Sequence, residues 1–452
     1  MFNTFIDSLP AYRRTNWRTW DYSILNNSPV IHRQSNIDHL LYSRLVITAD
    51  TETSKGEGTE DNHIVIWAVH IQFEHNLIVT LYGRKPSELP LCLQKIKNNI
   101  PANKMYVFWH NLGYDWVFTR KFILKNWDVP EYQLNLKPHC PILIEFMNGI
   151  TMRDSLPLAQ RSLDKWGADL CIEHSKRSGS WDYDKIRHQQ GTKITSREMG
   201  YLEYDVLALG DCLQKTMDTL KCNITTLPYT ATGIPRRDTR RIGKKNHAKH
   251  TYNNCKQTYD EYIMSEKTYH GGYTHANRYF IDYLVQRSAD DPVKCKDFNS
   301  SYPARLILDK MPMEGWTHDE DFTIEDIVEA SDDYAFMFNL HIVNADLKNG
   351  IVMPVLQFSK CTDVLNGLND NGRLLHADIV EIPVTEIDLK IILEQYTYSK
   401  IWATDIMYAE KDYLPRWLTD YIYSLYEDKC KLKGGDPVIY DIQKAKLNSV
   451  YG

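Results

Sequence analysis

Leu45-Val46-Ile47-Thr48-Ala49 is a short apolar run that stops directly on Asp50-Thr51-Glu52. A run of this length, rich in β-branched residues, reads as a buried strand. The pleat of a strand places residues i and i+2 on one face, so Asp50 and Glu52 point together from its end. Ile64–Phe73 and Leu77–Tyr82 alternate well enough to continue a sheet. Leu89–Asn99 has helical spacing, and Met105–Trp109 is a second buried strand. Strands alternating with helices predict an α/β domain over residues 45–225. Residues 1–44 are polar and aromatic, with Arg13, Arg14, Trp17, Arg18 and Trp20, and read as an N-terminal extension.

Two acids from one strand end do not balance a pair of divalent cations, which need several carboxylates around them. More acids arrive at suitable places. Asp115 closes His110-Asn111-Leu112-Gly113-Tyr114-Asp115 after the second buried strand. Asp205 closes Tyr201-Leu202-Glu203-Tyr204-Asp205, where Tyr201 and Asp205 share one helix face at i, i+4. Asp50, Glu52, Asp115 and Asp205 are therefore expected to converge on metal.

Composition narrows the rest. A formal net charge of −6 excludes a uniformly basic nucleic-acid coat but not a local basic groove. The nine Cys form no Cys-x-x-Cys pair, so thiols are expected in place of a zinc site or disulfide framework. No apolar run reaches the length of a membrane span or a secretory leader, and the chain is expected in the cytoplasm. Arg236, Arg237, Arg240, Arg241, Lys244, Lys245 and Lys249 crowd a basic linker after Pro228. Strand-like runs return over 265–305, with Val293–Lys296 ending on Asp297. Residues 335–410 mix strands with an amphipathic helix near Glu386–Tyr396. Pro415–Lys433 and Pro437–Gly452 read as two helices joined by Gly434-Gly435-Asp436.

Several motifs carry a resemblance. The ordered series Asp50-x-Glu52, Asn111-x-x-Tyr114-Asp115 and Tyr201-x-x-x-Asp205 resembles the three motifs of DEDDy-type 3′–5′ proofreading exonucleases. Asp297-Phe298-Asn299-Ser300-Ser301-Tyr302-Pro303 resembles the first catalytic palm motif of family B DNA polymerases. Lys444-x-x-x-Asn448-Ser449-x-Tyr451-Gly452 resembles that family's nucleotide-binding helix, and Tyr269-His270-Gly271-Gly272 its Tyr-x-Gly-Gly element. The resemblance extends to the protein-primed family B polymerases of small tailed phages.

That resemblance implies an RNase H-like exonuclease domain followed by an incomplete α+β palm, an insertion and a partial pair of fingers helices. The segments are 226–304 for the basic linker and palm part, 305–420 for the insertion and 421–452 for the fingers. It implies two Mg²⁺ or Mn²⁺ ions per active site, with Asp297 as the palm ligand. Thr53, Asn111, Tyr114, Ser155, Leu156 and Tyr183 are implied as single-stranded DNA ligands, with Tyr269, Gly271 and Gly272 also touching DNA. Lys176 is the implied catalytic lysine. Ser301, Tyr302, Lys444, Asn448 and Tyr451 are implied to hold the incoming dNTP, Tyr302 excluding a ribose hydroxyl. The implied partners are DNA, dNTPs and a terminal protein primer meeting residues 305–420.

The family's third motif, an Asp-Thr-Asp strand turn carrying the second metal carboxylate, is expected beyond Gly452, the last residue of this sequence. The expectation is a DNA polymerase portion with proofreading exonuclease, whose remainder is a separate C-terminal polymerase chain, the rest of a longer protein of which this is a fragment, or a part lost from a decayed remnant; the first is favoured. The alternative from another class is a free-standing exonuclease or DNA-binding module whose palm is structural.

Overall fold

The computed structural model describes residues 2–32, 39–55, 62–175, 181–182, 185–188, 191–284, 294–435 and 437–450. The chain divides into two compact units, Met1–Arg237 with Lys429–Val450, and Asp238–Asp428. The fold is mixed α/β.

The first unit is built on an eight-stranded sheet. In chain order its strands are β1 (Arg13–Asn16), β2 (Val46–Lys55), β3 (Asn62–Phe73), β4 (Asn76–Gly83), β5 (Met105–Trp109), β6 (Tyr132–Lys137), β7 (Cys140–Glu145) and β8 (Ile150–Asp154). Their spatial order is β1-β4-β3-β2-β5-β8-β7-β6. β2 pairs parallel to β5 and antiparallel to β3, and β5 pairs parallel to β8. Alternation along β2 sends its side chains into two layers. Leu45, Ile47 and Ala49 join the core beneath helices α1 (Leu89–Asn99) and α2 (Leu112–Trp127). Val46 joins the opposite core, under α4 (Leu163–Leu170) and α5 (Ser196–Thr219), and Thr48 Oγ1 donates to Val206 O at 2.7 Å. A short α3 (Leu156–Ala159) follows β8.

α5 begins on a capping box, in which Thr195 and Glu198 satisfy each other's backbone N–H groups. The chain leaves the first unit within α6 (Gly233–Lys245).

The second unit holds another eight-stranded sheet, centred on three long antiparallel strands. These are β9 (Tyr334–Leu347), β11 (Arg373–Thr385) and β12 (Lys400–Asp412), with β10 (Asp363–Leu365) beside β11. Phe336, Phe338, Leu340 and Ile342 alternate inward on β9 against α9 (Ile324–Ala330) and α10 (Glu386–Gln395). Capping boxes at Thr258, Thr323 and Thr385 start α7 (Tyr259–Thr268), α9 and α10. α8 (Ser301–Leu308), α11 (Arg416–Lys431) and α12 (Pro437–Asn448) complete the helices used below.

Two expectations need correction. Residues 1–44 are no appendage: β1 pairs in parallel with β4, and Trp17, Trp20, Tyr22 and Leu25 are buried in the core. Arg13–Asn16 is a four-residue polar edge strand, so hydrophobic alternation could not reveal it. The strand-like runs expected over 265–305 are absent among the described residues, where α7 and irregular chain stand instead. Thr258 and Glu261 cap a helix at the start of this span, and Ser301–Leu308 is helical at its end.

Trp20 tests the integration of the N-terminal segment. Trp20→Ala is expected to cost ~3–5 kcal/mol in chemical denaturation, as for a large core truncation. A loss under about 0.5 kcal/mol, normal for surface positions, would show that the segment is peripheral.

Candidate active site

The parity of β2 sets the site. Asp50 and Glu52 continue the face of Val46 and Thr48, the face covered by α5. α5 carries Asp205 one residue before Val206, whose carbonyl Thr48 binds. One carboxylate oxygen each from Asp50, Glu52 and Asp205 lies within 4.8 Å of the others. Glu52 and Asp205 are buried. The set offers hard oxygen donors at close quarters and could hold a divalent cation.

Asp115 reaches the same place from the other layer. Thr51 faces away from α5, and its Oγ1 donates to Asp115 Oδ1 at 2.6 Å. Asp115 sits in the first turn of α2 and is 3% exposed. It lines a cavity of about 410 Å³ with Asp50, Glu52, Asp205, Thr53, Asn111, Tyr114 and Leu156. It stands outside the tight group of three. Burial pushes its carboxyl up to about 7, against the bonds from Thr51 that hold it down, and the charge of Asp154 adds to the rise.

A register shift between Glu52 and Thr53 breaks the alternation of β2 at the site. Past it, Thr53 also lines the cavity, with Oγ1 and Tyr114 Oη 2.7 Å apart. Tyr114 remains 44% exposed at the mouth. Asn111 caps α2 in the left-handed region, at φ 77°, a conformation Asn tolerates better than most residues.

Asp154 was not singled out by the sequence and does much of the positioning. Its Oδ1 accepts from the backbone N–H of Asn111 and of Leu156, each at 2.9 Å. One buried carboxylate thus caps α2 and α3 together, aligning both loops that line the cavity. No local capping pattern signals this, because donor and acceptor are 43 residues apart. Ser155 lies just behind, its Oγ donating to Trp109 O and 2.9 Å from His110 Nδ1.

Tyr201 is buried one turn before Asp205 on α5, its ring 6.4 Å from that of Trp181. Trp181 is in turn covered by Arg187, whose guanidinium carbon is 4.2 Å from the ring centroid. Arg187 is fully buried and paired with Glu198 at 2.7 Å. Burial alone would raise the Glu198 carboxyl, but the Thr195 N–H, Arg187 and Lys185 hold it down to about 2. Lys176 and Tyr183 lie outside the described residues.

The remaining expected residues fall elsewhere. Asp297 is exposed in irregular chain, not at a strand end, and Val293 lies outside the described residues. Ser301 and Tyr302 open α8, Tyr302 at 57% exposure. Tyr269 ends α7 at 71% exposure, and Gly271 follows at φ 67°, where glycine is favoured. Gly272 is exposed beside it. Lys444 and Asn448 are exposed one turn apart on α12, whereas Tyr451 lies outside the described residues. Among the described residues, no second carboxylate cluster of metal-binding geometry accompanies Asp297.

The Asp115 shift has a sign that can be checked. In the folded protein Asp115 keeps its proton to higher pH than in the unfolded chain. Without metal, stability is therefore expected to fall as pH rises from about 4 to about 7. Asp115→Asn should remove that part of the decline in denaturation profiles recorded in EDTA. Superimposable wild-type and variant profiles would contradict the assignment.

A family model for DNA polymerase type B, organellar and viral, matches residues 181–452. The DNA polymerase of Streptococcus phage Cp-1 is 22% identical over 370 residues, covering 80% of this chain and 61% of that protein. The chain therefore spans less than two thirds of that relative. Phi29 DNA polymerase complexed with primer-template DNA superposes with a TM-score of 0.69 at 18% identity, covering 90% of this chain and 67% of that one. The same polymerase complexed with single-stranded DNA gives 0.67 at 17% identity, again covering 90% and 67%. At such identities the structural likeness concerns the fold. The matched span takes in more than half of the residues, and on it the chain belongs to the type B DNA polymerases of organelles and viruses.

Proposed function

We propose that the first unit is a 3′–5′ proofreading exonuclease and that the second contributes to DNA synthesis by a protein-primed viral DNA polymerase. The observation that carries the exonuclease reading is the approach of Asp50, Glu52 and Asp205 within a cavity that also receives Asp115, Thr53, Asn111, Tyr114 and Leu156. Four acids in a half-enclosed space have little structural use without cations.

Asp50, Glu52, Asp205 and Asp115 would hold two Mg²⁺ or Mn²⁺ ions. Such ions supply charge neutralisation at the phosphodiester and a water of lowered pKa. The protein's own part is to admit, hold and orient the 3′ end. Tyr114 presents a ring at the mouth, on which a splayed base can stack for roughly 1–3 kcal/mol without sequence preference. Thr53 fixes that ring through its hydroxyl, and Asn111 and Leu156 line the cavity beside it. The phenol of Tyr201 would orient the attacking water through a hydrogen bond of its hydroxyl. Lys176 is proposed as a catalytic lysine, and Ser155 and Tyr183 as further ligands of the single strand.

For synthesis, Asp297 is proposed as a palm metal ligand. Ser301, Tyr302, Lys444, Asn448 and Tyr451 are proposed to meet the dNTP, and Tyr269, Gly271 and Gly272 the DNA. Residues 305–420 are proposed to meet a terminal protein.

The test is degradation of a 5′-labelled single-stranded oligonucleotide in Mg²⁺. Asp50→Ala and Asp205→Ala should each abolish it. Tyr201→Phe should lower kcat roughly a hundredfold, typical of losing one positioned donor, with KM retained. Undiminished degradation by the Asp variants would refute the reading.

A further inference from the structure

The longest run of positive charge in the chain is not used by the site described above. Seven of the fifteen residues from Arg236 to His250 are Lys or Arg, against 53 in all 452, and Asp238 is the single acid among them. Six of the seven lie on α6. At about 100° per residue, Arg236, Arg237, Arg240, Arg241, Lys244 and Lys245 fall within roughly half of the helix circumference. Arg236, Arg240, Arg241, Lys244 and Lys245 are exposed.

The opposite half of the helix is anchored. Pro235, Asp238 and Gly243 are buried. Asp238 Oδ2 accepts from Tyr421 Oη at 3.4 Å. Gly243 lies against Tyr252, whose hydroxyl stands 2.7 Å from where a Cβ would be, so the helix packs closely on that ring. Tyr252 is braced edge-on by Trp417, their rings 6.3 Å apart. The basic half is thus held facing outward by packing on the other side.

Such a face carries a cost. Arg236/Arg240, Arg237/Arg241, Arg240/Lys244 and Arg241/Lys245 are like-charged i, i+4 pairs, each destabilising a helix by about 0.2–0.5 kcal/mol. A solvated surface helix would gain by alternating signs, so the pattern points to an anionic ligand. No aromatic residue interrupts the stripe, and single-stranded binding surfaces depend on aromatic rings for base stacking. Charge without rings suits the denser phosphate array of a duplex, one charge per about 1.7 Å of axis. From Arg236 to Lys245 the stripe runs about 14 Å at 1.5 Å per residue, enough to follow roughly four base pairs.

We propose that the exposed basic face of α6 binds the phosphate backbone of duplex DNA, independently of sequence and of the carboxylate cavity. The inference rests on the reading of the chain as a DNA-handling enzyme for its ligand, but not on the exonuclease assignment.

Binding of a fluorescent random-sequence duplex to the full chain is measured in EDTA across a salt series, beside a single strand of equal length. The quadruple variant R240A/R241A/K244A/K245A should weaken duplex binding by about tenfold or more and lower the slope of log K against log salt by about 3–4. Its single-strand affinity, its oligonucleotide degradation in Mg²⁺ and its thermal midpoint should stay within error of wild type. R240K/R241K should keep the slope, because a point charge suffices for phosphate. Asp50→Ala should keep duplex binding whether or not it abolishes degradation, so failure of the nuclease reading is separately visible. An unchanged slope in the quadruple variant would overturn the proposal, as expected if the stripe seats an acidic protein instead. An equal loss for single and double strands would overturn the duplex assignment. A Lys variant as impaired as the Ala variant would overturn the electrostatic one.

Discussion

Bringing Asp50, Glu52 and Asp205 to one place is the constraint around which the first unit is arranged. Ionised carboxylates within 4.8 Å of one another repel by about 3 kcal/mol per pair at an effective dielectric near 20. The chain spends ordinary stabilising interactions on holding them there. Val46 and Thr48 fasten β2 to α5 directly beneath the acids, and Glu198 caps α5 while pairing with a buried Arg187. These contacts hold the backbone that carries the acids, and so keep their oxygens within reach of one cation.

The two layers of the sheet divide the labour. The α5 layer delivers three acids as one tight group, and the α2 layer delivers Asp115 singly, tied to Thr51. Asp154 then sets the loops that enter α2 and α3 from a single oxygen.

Much of this was legible in the sequence where a short period governs structure. The apolar run ending on Asp50 and Glu52 announced a strand with two acids on one face, and Tyr201 and Asp205 announced one helix face. The helices at Leu89–Asn99 and Glu386–Gln395 and the strand Met105–Trp109 stand where their spacing put them. What escaped depends on tertiary placement. The register shift after Glu52 brings Thr53 to the cavity, and the Thr51–Asp115 and Asp154–Asn111 contacts join residues 64 and 43 apart. Arg13–Asn16 became a strand only because β4 offers it an edge. Apolar residues over 265–305 mimicked strands, yet Thr258 and Glu261 start α7, Ser301 opens α8, and the described residues between them belong to no strand.

Anomalous diffraction from crystals soaked in Mn²⁺ tests the central claim most directly. The account predicts a peak among Asp50, Glu52 and Asp205 that disappears in Asp205→Asn. A cavity empty of anomalous signal at saturating Mn²⁺ would contradict it.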